Sequence, residues 1–147
     1  MAYSDFIVGY KGSYTKKVTE RDNDLFAYLS GDYNPIHFQD ELARSYGFAG
    51  RISNGFVSES RIAAALVKIF GSDDTLVLAI EKNTKFIKPV YMNDDITATV
   101  EVVKRIEALK ILNIKARCFN QRREQVIETS MVIKILSKND DLEADKE

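Results

Sequence analysis

The stretch NGFVSESRIAAALVKIF, residues 54–70, constrains the fold more than any other part of the chain. Phe56, Val57, Ile62, Ala63, Ala64, Ala65, Leu66, Val67, Ile69 and Phe70 cover more than one helical face, and a helix apolar nearly all round is expected to be buried. Its alanines allow a sheet to approach closely, and Gly71 closes it. Four segments of period-two alternation follow, the pattern of half-buried strands. In the first, Leu76, Leu78 and Ile80 are expected to face inward, with the run continuing towards Phe86. In residues 96–106 the inward set is Ile96, Ala98, Val100 and Val102; in 110–119 it is Leu112, Ile114, Ala116 and Cys118; in 125–136 it is Ile127, Met131, Ile133 and Ile135. Asn93-Asp94-Asp95 and Asn120-Gln121-Arg122-Arg123 read as turns. Long sequential strands with short connections imply an antiparallel meander. One apolar helix with such a sheet gives an α+β domain, the sheet wrapped around the helix.

The N-terminal part supplies shorter elements. Residues 6–18 read as an extended segment. Thr19 reads as a helix N-cap, with Asp22 three residues on as a variant of the capping box. Leu25, Phe26 and Leu29 give that helix an apolar stripe, and Gly31 ends it. Asn34-Pro35 breaks the chain, and residues 38–45 suggest a second short helix closed at Gly47. Residues 1–136 form one domain. Residues 137–147, SKNDDLEADKE, are charged, lack aromatics and are expected to fray.

Charge and cysteine content remove several function classes. Lys and Arg number 21 against 22 Asp and Glu in 147 residues, a net charge of -1. No basic excess is available to neutralise phosphates, so nucleic acid is not an expected partner. Cys118 is the only cysteine. It sits in an inward register and reads as a buried thiol, and no intrachain disulfide is possible. No signal-peptide pattern opens the chain and no apolar run reaches the ~18 residues of a membrane span, so the expectation is a cytoplasmic protein without membrane contact. One histidine and one cysteine give no metal cluster of usual spacing. No G-x-S-x-G elbow, Walker A loop or G-x-G-x-x-G is found.

The chemistry concentrates in SGDYNPIHFQDELARSYGFAGRISNG, residues 30–55. His37, the only histidine, follows Asp32 by five residues across the Asn34-Pro35 turn, and Gly55 opens the long helix. A carboxylate, an imidazole and a helix N-terminus can together make an acid–base site with an anion hole. Taken singly, each residue has an ordinary reading: Asp32 as a turn residue, His37 as a solvated or packing residue, Gly55 as helix-start geometry.

In order, these residues resemble a known family. Gly31-Asp32-Tyr33-Asn34-Pro35-Ile36-His37, Gly47-Phe48 and Arg51-Ile52-Ser53-Asn54-Gly55 are similar to the G-D-x-N-P-[IL]-H, G-F and R-I-x-H-G blocks of the MaoC-type dehydratases, the (R)-specific enoyl-CoA hydratases of the hot-dog fold. Phe86-Ile87-Lys88-Pro89-Val90 followed by Asp94-Asp95 is similar to the family's F-x-x-P-V-x-x-G-D segment. The chain departs from the pattern at Asn54, where the family commonly has histidine, and at Asp94, where it commonly has glycine.

The resemblance implies a hot-dog domain that reversibly dehydrates (R)-3-hydroxyacyl-CoA. Asp32 and His37 share the acid and base roles, the Gly55 N–H binds the thioester oxygen, and Asn34 orients the loop. Asn54, Phe56 and Arg51 stand beside the substrate, with Arg44 and Arg51 as candidates for the anionic groups of coenzyme A. No metal or redox cofactor is implied, because coenzyme A belongs to the substrate. Homodimers with sheets joined edge to edge are the family's usual assembly. Two other readings use the same fold: a thioesterase hydrolysing the same thioester, and a non-catalytic acyl-CoA-binding module.

Overall fold

In the computed structural model, which describes residues 1–138, β3 (Asp95–Ile106), β4 (Ile111–Phe119) and β5 (Gln125–Ser137) pair antiparallel in chain order. Cross-strand partners share a face, so Val100 opposite Ala116, and Ile114 opposite Met131, make one continuous inner surface. Every inward residue expected in these strands is buried. Burial pushes the Cys118 thiol up to about 12, with the Glu59 charge adding to it, so this sulfur is inert packing.

The meander stops there. The sheet order is β1-β3-β4-β5-β2, with β1 (Lys11–Lys17) on the outer side of β3 and β2 (Thr75–Phe86) paired to β5. β2 is therefore not a hairpin partner of β3; residues 87–94 carry the chain from the edge strand β2 across to β3, which lies next to the opposite edge strand β1.

β2 also corrects the expected inward set. Its register to β5 shifts between Ala79 and Glu81, which leaves Ile80 as the extra residue of a bulge. Before the bulge, Val77 and Ala79 lie opposite the buried Ile135 and Ile133; after it, Lys82, Thr84 and Phe86 lie opposite Met131, Thr129 and Ile127. Leu76 and Leu78 point the other way and are 60% and 47% exposed. One inserted residue thus puts Leu76 and Phe86 on opposite faces although their spacing is even.

α3 (Gly55–Phe70) lies on the inner face of the sheet, burying Val57, Ile62, Ala65, Leu66 and Phe70. Phe6 from the N-terminal segment meets Phe70 edge to face at 5.0 Å. The helix is not enclosed on every side: Phe56 and Val67 are exposed, while Glu59 and Arg61 are buried. The guanidinium of Arg61 donates to the Lys17 carbonyl at 2.8 Å and to Asp22 Oδ2 at 3.0 Å, tying α3 to the chain around residues 17–22.

α1 (Glu20–Ser30) starts as its caps predict: the Asp22 N–H donates to Thr19 Oγ1, and the Thr19 N–H donates to Asp22 Oδ2, both at 3.1 Å. Gly31 ends it at φ +79, a conformation L side chains disfavour. Partial burial alone would raise the Asp22 carboxyl, but the Thr19 N–H and the Arg61 guanidinium outweigh it and hold the group below its ordinary 3.8. The expected stripe on α1 is corrected: Asn23 and Ala27 are buried, whereas Leu25 and Leu29 face out, Leu29 at 82%. α2 spans Asp40–Ser45, starting later than expected because Pro35–His37 form their own 3-10 turn. The extended segment narrows to β1, after a 3-10 turn at Tyr3–Asp5. Ser137 is the buried last residue of β5, one past the expected domain end; of the expected tail, residues 139–147 lie outside the described residues.

Candidate active site

A cavity of about 440 Å³ opens where the N-terminus of α3 meets the 31–55 connection and the end of β2. Asp32, His37, Asn54, Gly55 and Phe56 all line it, although 24 positions separate the first from the last in sequence. The apolar side of the wall is Phe86, Ile87, Pro89 and Val90, from the segment carrying the Phe-x-x-Pro-Val motif, together with Ile127 of β5.

The side chains of Asp32, Asn34, His37 and Asn54 are each held by hydrogen bonds. Asp32 follows the left-handed Gly31, and its own N–H donates to Ser30 Oγ at 3.0 Å. Asp32 Oδ1 accepts from the Asn34 N–H at 3.1 Å, and Oδ2 accepts from Asn54 Nδ2 at 2.8 Å. Asn34 Oδ1 accepts from the Ile36 N–H at 3.4 Å and so shapes the turn that presents His37. Asn34 itself stands outside the cavity wall.

His37 is 9% exposed, and its Nδ1 lies 2.9 Å from the Ile52 carbonyl oxygen. A carbonyl only accepts, so Nδ1 carries the proton, and in the neutral ring Nε2 presents a lone pair. Ile52 is anchored in turn: its N–H donates to the Ile36 carbonyl at 3.2 Å, and it forms an isolated antiparallel bridge with Tyr91.

Asn54 has two roles. Its Oδ1 accepts from the Phe56 N–H at 3.0 Å, capping α3, while its Nδ2 grips Asp32. Such a cap is worth ~1 kcal/mol. Gly55 follows as the first helical residue. The N–H groups of a helix's first turn have no intrahelical carbonyl to reach, and the macrodipole favours negative charge beside them. A Cβ at Gly55 would come within 2.6 Å of the Phe86 ring, so glycine lets this wall close over the helix start. Phe56 stacks on Phe26 at 5.7 Å and meets Phe86 edge-on at 6.0 Å.

Arg51 does not join the cavity. Its guanidinium pairs with Glu20, and its backbone N–H donates to Asp40 Oδ1 at 3.0 Å. Arg44 likewise turns to the Ala49 carbonyl, at 3.3 Å. The basic side chain on the cavity wall is Lys88, half-exposed and 2.8 Å from Glu124.

Sequence reasoning missed Asn23. This buried side chain donates from Nδ2 to the His37 carbonyl at 2.9 Å and accepts the Asn54 N–H on Oδ1 at 3.4 Å, joining both halves of the site. Its signal was a polar residue three and four positions before Phe26 and Ala27, on the face α1 turns inward.

A sheet wrapped on one helix, with Asp32 and His37 beside that helix's N-terminus, is the architecture of a hot-dog domain, and solved hot-dog structures superpose on it. The chain belongs to the MaoC-like dehydratase family: the family described as MaoC like domain matches residues 9–118. It is 32% identical to an (R)-specific enoyl-CoA hydratase of Rhodospirillum rubrum over 117 residues, 79% of each protein. It is 26% identical to the mitochondrial 3-hydroxyacyl-[acyl-carrier-protein] dehydratase of Arabidopsis thaliana over 131 residues, 88% of this chain and 76% of that protein. Among solved structures, the unliganded R-hydratase PhaJ1 of Pseudomonas aeruginosa superposes with a TM-score of 0.79 at 32% identity, covering 92% of this chain and 88% of that one. Among the described residues, no helix is long and apolar enough to cross a membrane.

Proposed function

We propose that this chain is an (R)-specific enoyl-CoA hydratase, adding water reversibly to trans-2-enoyl thioesters. The observation that carries the reading is the fixed tautomer of His37 in the same cavity as Asp32 and the start of α3. One water hydrogen-bonded to Asp32 and His37 Nε2 stands ready for attack. Its oxygen bonds to C3 of the substrate as its proton passes to Nε2, and the double-bond electrons move through C2 onto the thioester oxygen. The Gly55 N–H and the α3 dipole stabilise that oxygen, an effect typically worth ~10²–10³ in rate per donor. The imidazolium, steadied by the Ile52 carbonyl and Asp32, returns its proton to C2. The same group serves as base and acid, and no cofactor beyond the substrate's own coenzyme A enters.

Lys88, rather than Arg51 or Arg44, is the candidate for coenzyme A's phosphates, since it stands on the cavity wall. A second copy pairing along the edge of the sheet at β2 would satisfy the backbone N–H and C=O groups on that side, giving the homodimer. A cytoplasmic setting suits a coenzyme A thioester as substrate.

The test is the loss of conjugated-thioester absorbance with a short trans-2-enoyl-CoA. Asp32→Asn and His37→Ala are each expected to lower kcat/KM by ~10²–10⁴. Release of free thiol in step with the absorbance change would make the protein a thioesterase instead. Binding of acyl-CoA without turnover, indifferent to Asp32→Asn, would make it a carrier.

A further inference from the structure

A second cavity, about 380 Å³, runs along α3 beyond the first and shares Phe56 with it. Ile62, Ala63, Leu66, Ile80 and Met131 give it largely apolar walls. The paired strands β2 and β5 show how the two cavities join. The Phe86–Ile127 rung borders the first and the Lys82–Met131 rung borders the second. Between them lies one rung, Thr84 opposite Thr129. Rungs two residues apart are about 7 Å distant along the strands.

That middle rung is polar. Thr84 Oγ1 donates to Glu59 Oε1 at 2.5 Å, which commits its proton, so Thr129 is the donor in the 2.9 Å contact between the two hydroxyls. Glu59, only 5% exposed, also receives Lys82 Nζ at 2.6 Å. A buried carboxylate, an ammonium and two hydroxyls thus stand between the largely apolar walls of the two cavities, on the path leading away from the acid–base pair.

We infer that Glu59, Lys82, Thr84 and Thr129 set the acyl specificity of the site: chains that end before this rung are accepted, and longer alkyl chains are selected against. The inference rests on the acyl-thioester reading of the cavity. A thioester held at Gly55 with its reacting carbons at Asp32 and His37 directs the rest of its acyl chain along α3. A short chain fits within the first cavity. A longer one must lie against the Glu59–Lys82 pair, stripping water from charged groups without offering them a hydrogen bond.

The experiment compares kcat/KM for four-carbon and ten-carbon trans-2-enoyl-CoA in the wild type, in Glu59→Ala/Lys82→Met and in Glu59→Gln. Affinities for butanoyl- and decanoyl-CoA are measured by calorimetry in the same three proteins. The wild type is expected to favour the four-carbon substrate at least ten-fold. The double variant should reduce that preference at least ten-fold, and Glu59→Gln, which keeps the shape and the acceptor for Thr84, at least three-fold. A wild-type preference below ten-fold, or one that does not move in variants with cooperative thermal unfolding, overturns the inference. If the double variant does not fold, Glu59→Gln decides. If no thioester is turned over, the hydratase reading falls, and the same thresholds applied to the two affinities decide this one.

Discussion

The central strands and the 31–55 connection border one cavity, but they are held by different physics. In β3, β4 and β5 the inner residues are interchangeable kinds of apolar bulk, each touching several others, and burial of the set holds the sheet. In the connection, Asp32, His37 and Asn54 are placed by individual hydrogen bonds, most with no substitute nearby. Losing a methyl group from the first region spreads its effect over the core. Losing one amide from the second frees the Asp32 carboxylate while most of the fold stays. Stability is concentrated in one region and chemical placement in the other.

The largest expected effect tests the sheet side of that contrast. Ile114→Ala, in the middle of β4, should cost about 2–5 kcal/mol in denaturant unfolding, with the residual folded protein keeping its turnover per molecule. Next, Asp22→Asn breaks the part-buried, charge-assisted tie to Arg61 and should cost about 1.5–3 kcal/mol at neutral pH. Because the folded carboxyl is held below its ordinary value, its contribution is complete above the unfolded value near 3.8 and fades as pH falls through the depressed one. Wild type and variant should therefore converge in stability on acidification below about pH 4, and a difference persisting at the lowest pH would show that the Arg61 contact is not electrostatic. Asn54→Ala should cost only ~1 kcal/mol as a lost cap, yet lower kcat/KM at least ~10-fold by freeing Asp32. Equal activity would remove Asn54 from the placement of the carboxylate. Smallest of all, Leu78→Ser on the outer face of β2 should change unfolding by no more than about 0.5 kcal/mol at low protein concentration; a larger loss there would mean that β2 belongs with the core strands.

Alternation disclosed β3 to β5, and every apolar residue it assigned inward is buried, because each strand has a neighbour on both sides, but it passed over Thr129, a polar residue on the same inner face. The same rule misassigned Leu76 and Leu78, since the bulge at Ile80 leaves no mark in apolar spacing and β2 has a partner on one side only. Leu25 and Leu29 were misread for a related reason: helical spacing says which residues share a face, and neighbouring elements decide whether that face is covered. At the site, Asp32 and His37 stand at a local offset across one turn, but it was the resemblance to the family's ordered blocks that grouped Gly55 with them, and all three line one cavity. The partners of Asn23 and the diversion of Arg51 to Glu20 were not legible, since the Asn23–Asn54 and Arg51–Glu20 contacts each reach across about thirty residues.

Asn54 has one further consequence. A single planar amide gives its oxygen to the first turn of α3 and its nitrogen to Asp32, and turning it over would set oxygen against oxygen on one side and N–H against N–H on the other. Its orientation is therefore locked from both ends, and fraying of the helix and drift of the carboxylate become one event. The rate at which the Phe56 amide proton exchanges with solvent is then a clock for the placement of Asp32, readable in the protein with nothing bound.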